Sequence, residues 1–427
     1  MSRNVGFVSF RFSGTDGVSL ETKKWAEVFE RNGFNTFYLA GEADTPADRT
    51  MEAADLHFQT DEARTLYEEC FRQQARPRTL TREIHRVRSR IKDALYEFIE
   101  RFDIDLLVPE NVITIPLNIP LGIAITETIA ETGIKTIAHH HDFFWERKRF
   151  LVNCVWDYLN ACYPPHLPTI QHVVINTSGR NQLALRTGIA STLIPNVMDF
   201  ETPPEPMDEY AADAREALKI GKDELLVLQP TRVVQRKGIE HAIELVARLD
   251  RPAALVISHA SGDEGYEYEQ RVREYAELLN IRALFVDDLI GDERGTTEDG
   301  RKVYSLQDIY RHADLVTYPS LFEGFGNAFL EAVYFRKPIL VNNYSIYSHD
   351  IKPKGFEVVE MDDFISARTI KETTQLLDNP KRIEEMVERN YELALKHFSY
   401  RVLENKLIYL AKSFYGEEGH HDDHGCD

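Results

Sequence analysis

Cysteine is scarce in this chain, and so are long apolar runs and positive charge. The four cysteines are Cys70, Cys154, Cys162 and Cys426, and no two of them form a CxxC pair. They read as reduced thiols of a cytoplasmic protein rather than as a disulfide framework. No stretch approaches the roughly 20 apolar residues that a membrane helix needs, so no integral membrane association is expected. The opening MSRNVGFVSFRFSG holds only a short apolar run and reads as a first β-strand, not as a signal peptide. Lys and Arg number 50 against 70 Asp and Glu, a net charge of −20. That balance lacks the basic footprint of a nucleic-acid binder, and it favours solubility. No repeat at a solenoid period is present.

What is there is an ordinary globular composition, 43% hydrophobic and 28% charged over 427 residues, which predicts two domains. Strands alternate with helices. Apolar strands are expected at residues 5–10, 34–40, 104–110, 134–140 and 171–177, with helices near 19–32 and 117–132. The segment 198–213 turns to Pro and acid, and marks a boundary. The alternation then restarts, with strands at 224–230, 253–258, 282–287, 314–320 and 337–343. Helices are expected from 238, near 264–280, at 305–312 and 326–335, and through 364–415. Continuous apolar strands separated by helices argue for α/β architecture with parallel sheets covered on both faces. The predicted domains are therefore 1–200, with a helical insertion at about 45–103, and 201–396. A helix at 397–415 is expected to cross back to the first domain, and a polar, disordered tail to fill 416–427.

Three loops carry chemistry. In EGFGNAFLEA (323–332) a strand ends, Glu323 follows, Gly324 and Gly326 permit close backbone approach, and a helix opens near Asn327. Glu331 lies one turn further in, where its carboxylate can accept from two neighbouring hydroxyls, as on a ribose. In QPTRVVQRKGIEHA (229–242), Arg232 and Lys237 precede a helix start, a combination suited to phosphate. In FSGTDGVSLE (12–21), Gly14 and Gly17 let the backbone approach a ligand. Each loop also has a plain reading: an acid-decorated helix start, a solvated basic loop and a tight strand-to-helix turn.

Together, in this order, they resemble glycosyltransferase family 4, retaining enzymes of the GT-B fold. The resemblance covers nearly the whole chain and includes IPNVMD (194–199) and the Glu-x7-Glu pair Glu323 and Glu331. It implies two Rossmann-like doubly wound domains facing across a cleft, and transfer of a hexose from a nucleoside-diphosphate sugar to a small polar or anionic acceptor. It implies that Arg232 and Lys237 bind the donor diphosphate and stabilise the leaving group, that Glu331 holds the ribose, and that Glu323 contacts the transferred sugar. Gly17, Asn196 and the Gly324-Phe325-Gly326-Asn327 backbone fall on the donor side, and Asp16 on the acceptor side. The family's first loop commonly has adjacent glycines, whereas here Thr15 and Asp16 separate Gly14 from Gly17. No cofactor is obligatory under this reading, and a divalent metal is at most stimulatory.

HHHDFFWER (139–147) admits three readings. Metal binding wants ligands spaced over different elements, and no metal site is assigned. A structural histidine cluster is the second. In the third, one of His139, His140 and His141 touches the transferred sugar or acceptor, while Asp142 and Glu146 orient it or bind acceptor hydroxyls. On a strand only His139 and His141 would share a side. The arginine-rich stretch 76–90 likewise reads as a carboxylate-paired helix, an anionic acceptor site or a contact with anionic lipid. A small soluble acceptor ranks above a lipid one, peripheral membrane contact is not favoured, and a homo-oligomer is compatible with the sequence. The terminal GHHDDHG reads as solvated tail. Rival functions are a sugar-nucleotide epimerase, a phosphorylase and a non-catalytic nucleotide-sugar sensor.

Overall fold

The computed structural model describes residues 3–14, 17–259, 266–286, 288–291 and 293–415. Asp16, the tail from 416 and Cys426, all given readings above, lie outside the described residues. The chain divides into two compact units, Met1–Val197 joined by the segment from Tyr400, and Met198–Ser399.

In the first unit the chain order is β1 (Asn4–Val8), α1 (Gly17–Arg31), β2 (Asn35–Ala40), β3 (Thr50–Glu52), α2 (Asp61–Phe71), α3 (Arg78–Arg101), β4 (Leu106–Pro109), α4 (Ile119–Thr132), β5 (Lys135–His140), α5 (Trp156–Cys162), β6 (Ile170–Val174), α6 (Thr177–Thr187) and β7 (Ser191–Leu193). All seven strands pair in parallel, in the order β3-β2-β1-β4-β5-β6-β7. The caps explain where helices begin and end. Asn118 accepts from the Leu121 N–H at the head of α4, and Gly133 closes that helix at φ 67°. The last helix, Tyr400–Ser413, belongs to this unit, burying Leu403, Leu407 and Leu410 in one cluster with Trp25 and Phe29 of α1.

The stretch 45–103 is not an addition to the sheet but part of it. β3 extends the sheet through β2, and α3 is the crossover leading to β4. Leu80, Ile84, Val87, Ile91, Leu95 and Phe98 recur every three or four residues along α3 and are all buried. Each contributes roughly 1.5–3 kcal/mol by leaving water. The opposite face carries arginines, and carboxylates hold Arg86, Arg88 and Arg90 there and Arg76 just before the helix. Arg90 binds Asp55 at 2.7 Å and Glu62 at 2.5 Å, Arg86 binds Glu83 at 2.8 Å, Arg88 binds Glu127 at 2.7 Å, and Arg76 grips Asp157 with two 2.7 Å bonds. The carboxylate-paired reading thus holds for Arg76, Arg86, Arg88 and Arg90, while Arg78 and Arg82 stay exposed. No helix among the described residues is long and apolar enough to cross a membrane.

The second unit runs α7 (Ala214–Ala217), β8 (Leu225–Gln229), α8 (Ile239–Arg248), β9 (Ala253–Ile257), α9 (Glu267–Leu278), β10 (Arg282–Phe285), β11 (Ile290–Gly291), β12 (Gly295–Thr296), β13 (Lys302–Ser305), α10 (Leu306–His312), β14 (Leu315–Tyr318), α11 (Asn327–Tyr334), β15 (Ile339–Asn342), β16 (Val359–Met361), α12 (Ala367–Leu377) and α13 (Pro380–Phe398). Its main sheet is again parallel, ordered β10-β9-β8-β14-β15-β16, and β11, β13 and β12 form a small separate sheet. Both units are thus doubly wound α/β domains, the fold class of GT-B glycosyltransferases. Strand order reverses between β1 and β4 in the first unit and between β8 and β14 in the second. In such sheets ligands bind beyond the carboxyl ends of the strands at that reversal.

Candidate active site

In the second unit, the loops after β8 and β14 are the two at the reversal, and backbone contacts fasten them together. The Leu321 N–H donates to the Arg236 carbonyl at 2.8 Å. Gly238 opens α8 at φ 60°, and a Cβ there would stand 2.6 Å from the Pro319 carbonyl oxygen. Only glycine serves both the left-handed backbone and this close approach. Gly326 does the same before α11: its φ is 136°, and a Cβ would meet the Tyr344 hydroxyl at 2.5 Å. That hydroxyl is itself fixed, donating to the Phe325 carbonyl at 2.8 Å.

This stitching brings charge together. Lys237 Nζ makes a short contact with Glu323 Oε1, and Arg236 Nη1 lies 3.2 Å from Glu323 Oε2. Burial pushes the Glu323 pKa up, but the Lys237 and Arg236 charges outweigh it and hold the carboxyl below its usual range. Burial also lowers Lys237, partly offset by Glu323, while the charges of Arg236 and Arg232 push it further down. Arg232 itself is exposed. Lys237 and Arg236 thus share one carboxylate while the Arg232 charge acts on Lys237, leaving an excess of positive charge beside a helix start, which suits a polyanion. Glu331 projects from α11, and one of its oxygens accepts from the Tyr310 hydroxyl at 2.9 Å. The sequence reading separated Lys237 from Glu323 by role, whereas the structure joins them in one ion cluster. It also overlooked Arg236, although Arg236 adjoins Lys237 in QRKG, and Tyr310.

In the first unit, the ends of β4 and β5 meet at the reversal. Glu110 follows β4 directly and sits opposite His139 across a parallel bridge. The strand alternation sends His139 to one face and His140 to the other. His139 Nδ1 is 2.8 Å from Glu110 Oε2, and its ring stacks on Trp25 at 4.0 Å. His140 Nε2 pairs with His172 Nδ1 at 2.8 Å instead. His141 lies just past the strand, on the His139 side, with Nε2 3.8 Å from Glu110 Oε2. Burial lowers the pKa of all three, His139 to about 3, so they are neutral imidazoles. His139 and His140 are each 1% exposed, while the His141 side chain keeps 11%. Of the three, His141 keeps the largest exposure, although its Nε2 is buried. Burial raises Glu110 to about 7.

Asn111 builds the turn that carries His141. It adopts φ 59°, accepts from the His141 N–H at 3.0 Å, and donates to Asp142 at 2.9 Å. Asp142 also receives Arg147 Nε at 2.5 Å. Both oxygens of Glu146 are occupied inside the protein, by the Phe143 N–H at 2.9 Å and by Gln182 Nε2 at 3.0 Å. Glu146 therefore ties the turn to α6. Gly17 opens α1, and Asn196 is buried just before the end of the unit. Glu110 and Asn111 were not anticipated; the only sign was an acid ending the apolar run IDLLVPE. Glu110, His139 and His141 hold donor atoms within 4.8 Å of one another and are the group among the described residues that could take a metal ion.

Comparison with known proteins fits this geometry. Residues 300–393, which contain Glu323 and Glu331, match the family model described as glycosyl transferases group 1. Mannosylglucosylglycerate synthase of Thermotoga maritima is 31% identical, over 94% of this chain and 98% of that protein. The enzyme of the same name from Petrotoga mobilis is 31% identical, over 84% of this chain and 86% of its own length. A glycosyltransferase structure from Rickettsia africae superposes with a TM-score of 0.69, at 13% identity, covering 98% of this chain and 100% of that one. The fold is shared at that distance, and the closer similarity extends along nearly the whole sequence: the chain is a glycosyltransferase and belongs to the group 1 glycosyl transferases.

Proposed function

We propose that this chain is a retaining member of glycosyltransferase family 4 that transfers a mannosyl unit from a nucleoside-diphosphate mannose to glucosylglycerate. The observation that carries the donor half is the pairing of Arg236 and Lys237 with Glu323 at the β8–β14 reversal, with the Arg232 charge acting on Lys237. The acceptor half rests on the two relatives, whose names describe a product with a mannosyl unit on glucosylglycerate. In the reaction the bond from the anomeric carbon to the diphosphate oxygen breaks. The new bond forms to an acceptor hydroxyl oxygen, whose proton passes to the departing diphosphate. Lys237, with Arg236 and Arg232 beside it, stabilises the negative charge that develops on the departing diphosphate. Glu331 takes the ribose hydroxyls, and His141 contacts the transferred sugar. Protein cations neutralise the diphosphate here, so added divalent metal is not required for transfer. We place the protein in the cytoplasm, in keeping with the free, buried thiols of Cys70, Cys154 and Cys162.

The test is a matrix of nucleoside-diphosphate sugars against glucosylglycerate, glycerate and water, read as diphosphate release. Release that requires both a mannosyl donor and glucosylglycerate supports the proposal. Conversion of donor sugar without acceptor would assign an epimerase instead, and donor binding without any release a sensor.

A further inference from the structure

Among the described residues, no Lys or Arg pairs with the buried acid Glu110. It is 0% exposed, its Oε1 has no hydrogen-bond partner, and its Oε2 faces two neutral imidazoles. His141 Nε2 is buried and likewise has no hydrogen-bond partner. The nearest other charged groups do not supply the missing charge. Glu21 of α1, also buried, adds repulsion, and Lys24 is spent on Glu21 at 2.5 Å and on the Val197 carbonyl at 2.5 Å. Trp25 covers the outer face of His139, and His140 points away to His172. A carboxyl enclosed this way takes up either a cation or a proton, and the two imidazoles beside it are donors that suit a cation.

We propose that Glu110, His139 and His141 form a binding site for one divalent transition-metal ion of the zinc class. Two imidazoles and one carboxylate are a ligand set that zinc takes, with a fourth position left open. The ligands come from two elements, the end of β4 and the end of β5, which is the spread that the histidine run alone lacked. Zinc bound at its usual lengths asks for donors about 3.3 Å apart. The 2.8 Å from His139 to Glu110 opens and the 3.8 Å from His141 to Glu110 closes by about half an ångström each, and the His139–His141 pair, within 4.8 Å, closes as well by rotation of the His141 ring. The ion neutralises Glu110 and anchors His141 from the side opposite Asn111, which already holds its backbone. Its role is positional: it fixes the imidazole that the proposed reaction uses.

The experiment uses the untagged full-length chain, exchanged through chelator, reloaded with zinc or cobalt(II) chloride and desalted. Metal is measured per chain in wild type, Glu110→Gln and His141→Ala. The natural tail contains HHDDH, so the readout is the difference between proteins that share it. The proposal expects wild type to retain one equivalent more than either variant. It also expects visible cobalt bands and a zinc-dependent rise in melting temperature that both variants lose. His141→Ala carries the test if Glu110→Gln does not fold. Equal metal content in all three proteins overturns the proposal and leaves a proton as the cation on Glu110. Metal content is read without turnover, so this outcome is separate from the fate of the mannosyl-transfer reading.

Discussion

Replacing Lys237 with methionine keeps the length and apolar stem of the side chain and deletes only the charge. Two effects follow, and they can be separated. The first is on stability. Glu323 is 8% exposed and would keep Arg236 as its remaining cation, 3.2 Å away. Removing one partner of a buried pair costs about 3–5 kcal/mol, and the surviving arginine reduces this to roughly 2 kcal/mol. The second is on catalysis. A donor aimed at an oxygen that gains charge in the transition state is worth about 2.7–4 kcal/mol, so kcat for diphosphate release should fall by about 10²–10³. The double variant Lys237→Met/Glu323→Gln removes the orphaned charge, so urea denaturation should show most of the stability returning. Its activity should stay low, because neither substitution restores a cation for the diphosphate. The reasoning is refuted if folded Lys237→Met keeps kcat within threefold of wild type, or if activity returns along with stability in the double variant.

Glu331→Ala should raise the donor KM at least about tenfold, or roughly 1.4 kcal/mol, because its carboxylate is the group assigned to the ribose hydroxyls. Gly326→Ala should lower the unfolding free energy by about 1–3 kcal/mol in urea, because φ of 136° and the Tyr344 hydroxyl 2.5 Å from the added methyl both oppose it. Glu110→Gln, compared with wild type in chelator, should gain relative stability as pH rises. A carboxyl that titrates near 7 when folded and near 4.5 when unfolded binds more protons folded, so between those values the wild type loses up to roughly 3 kcal/mol that the amide cannot lose. The neighbouring histidines titrate in both proteins and largely cancel. A stability difference flat across pH 4.5–7 would falsify the assignment of an uncompensated Glu110.

Legibility followed burial pattern and adjacency. Runs such as VGFVSF and ELLVLQP read as parallel strands because both faces are covered, so that the apolar signal is continuous. The loops after β8 and β14 were visible because glycine next to charge at a strand end has few other uses. β3 escaped notice because three residues, with only Met51 of them buried, carry no period. The small sheet of β11, β12 and β13 escaped for the same reason, two of its strands being two residues long. The arginines of α3 were conspicuous in the sequence, but their partners Asp55, Glu62 and Glu127 belong to other elements. Glu110 was invisible in the same way: only the parallel bridge from the end of β4 to His139 on β5 makes it a partner of the histidines. Asn111 matters through a positive φ that no pattern of residue types discloses.

The central claim is transfer of mannose onto glucosylglycerate with the anomeric configuration kept. It is tested most directly by proton NMR of the product formed from an α-configured nucleoside-diphosphate mannose and glucosylglycerate. The account predicts a new disaccharide glycerate whose mannosyl anomeric signal is α, growing in step with diphosphate release. A β-linked product, or a product in which the glycerate moiety of the acceptor can be removed without loss of rate, would contradict it.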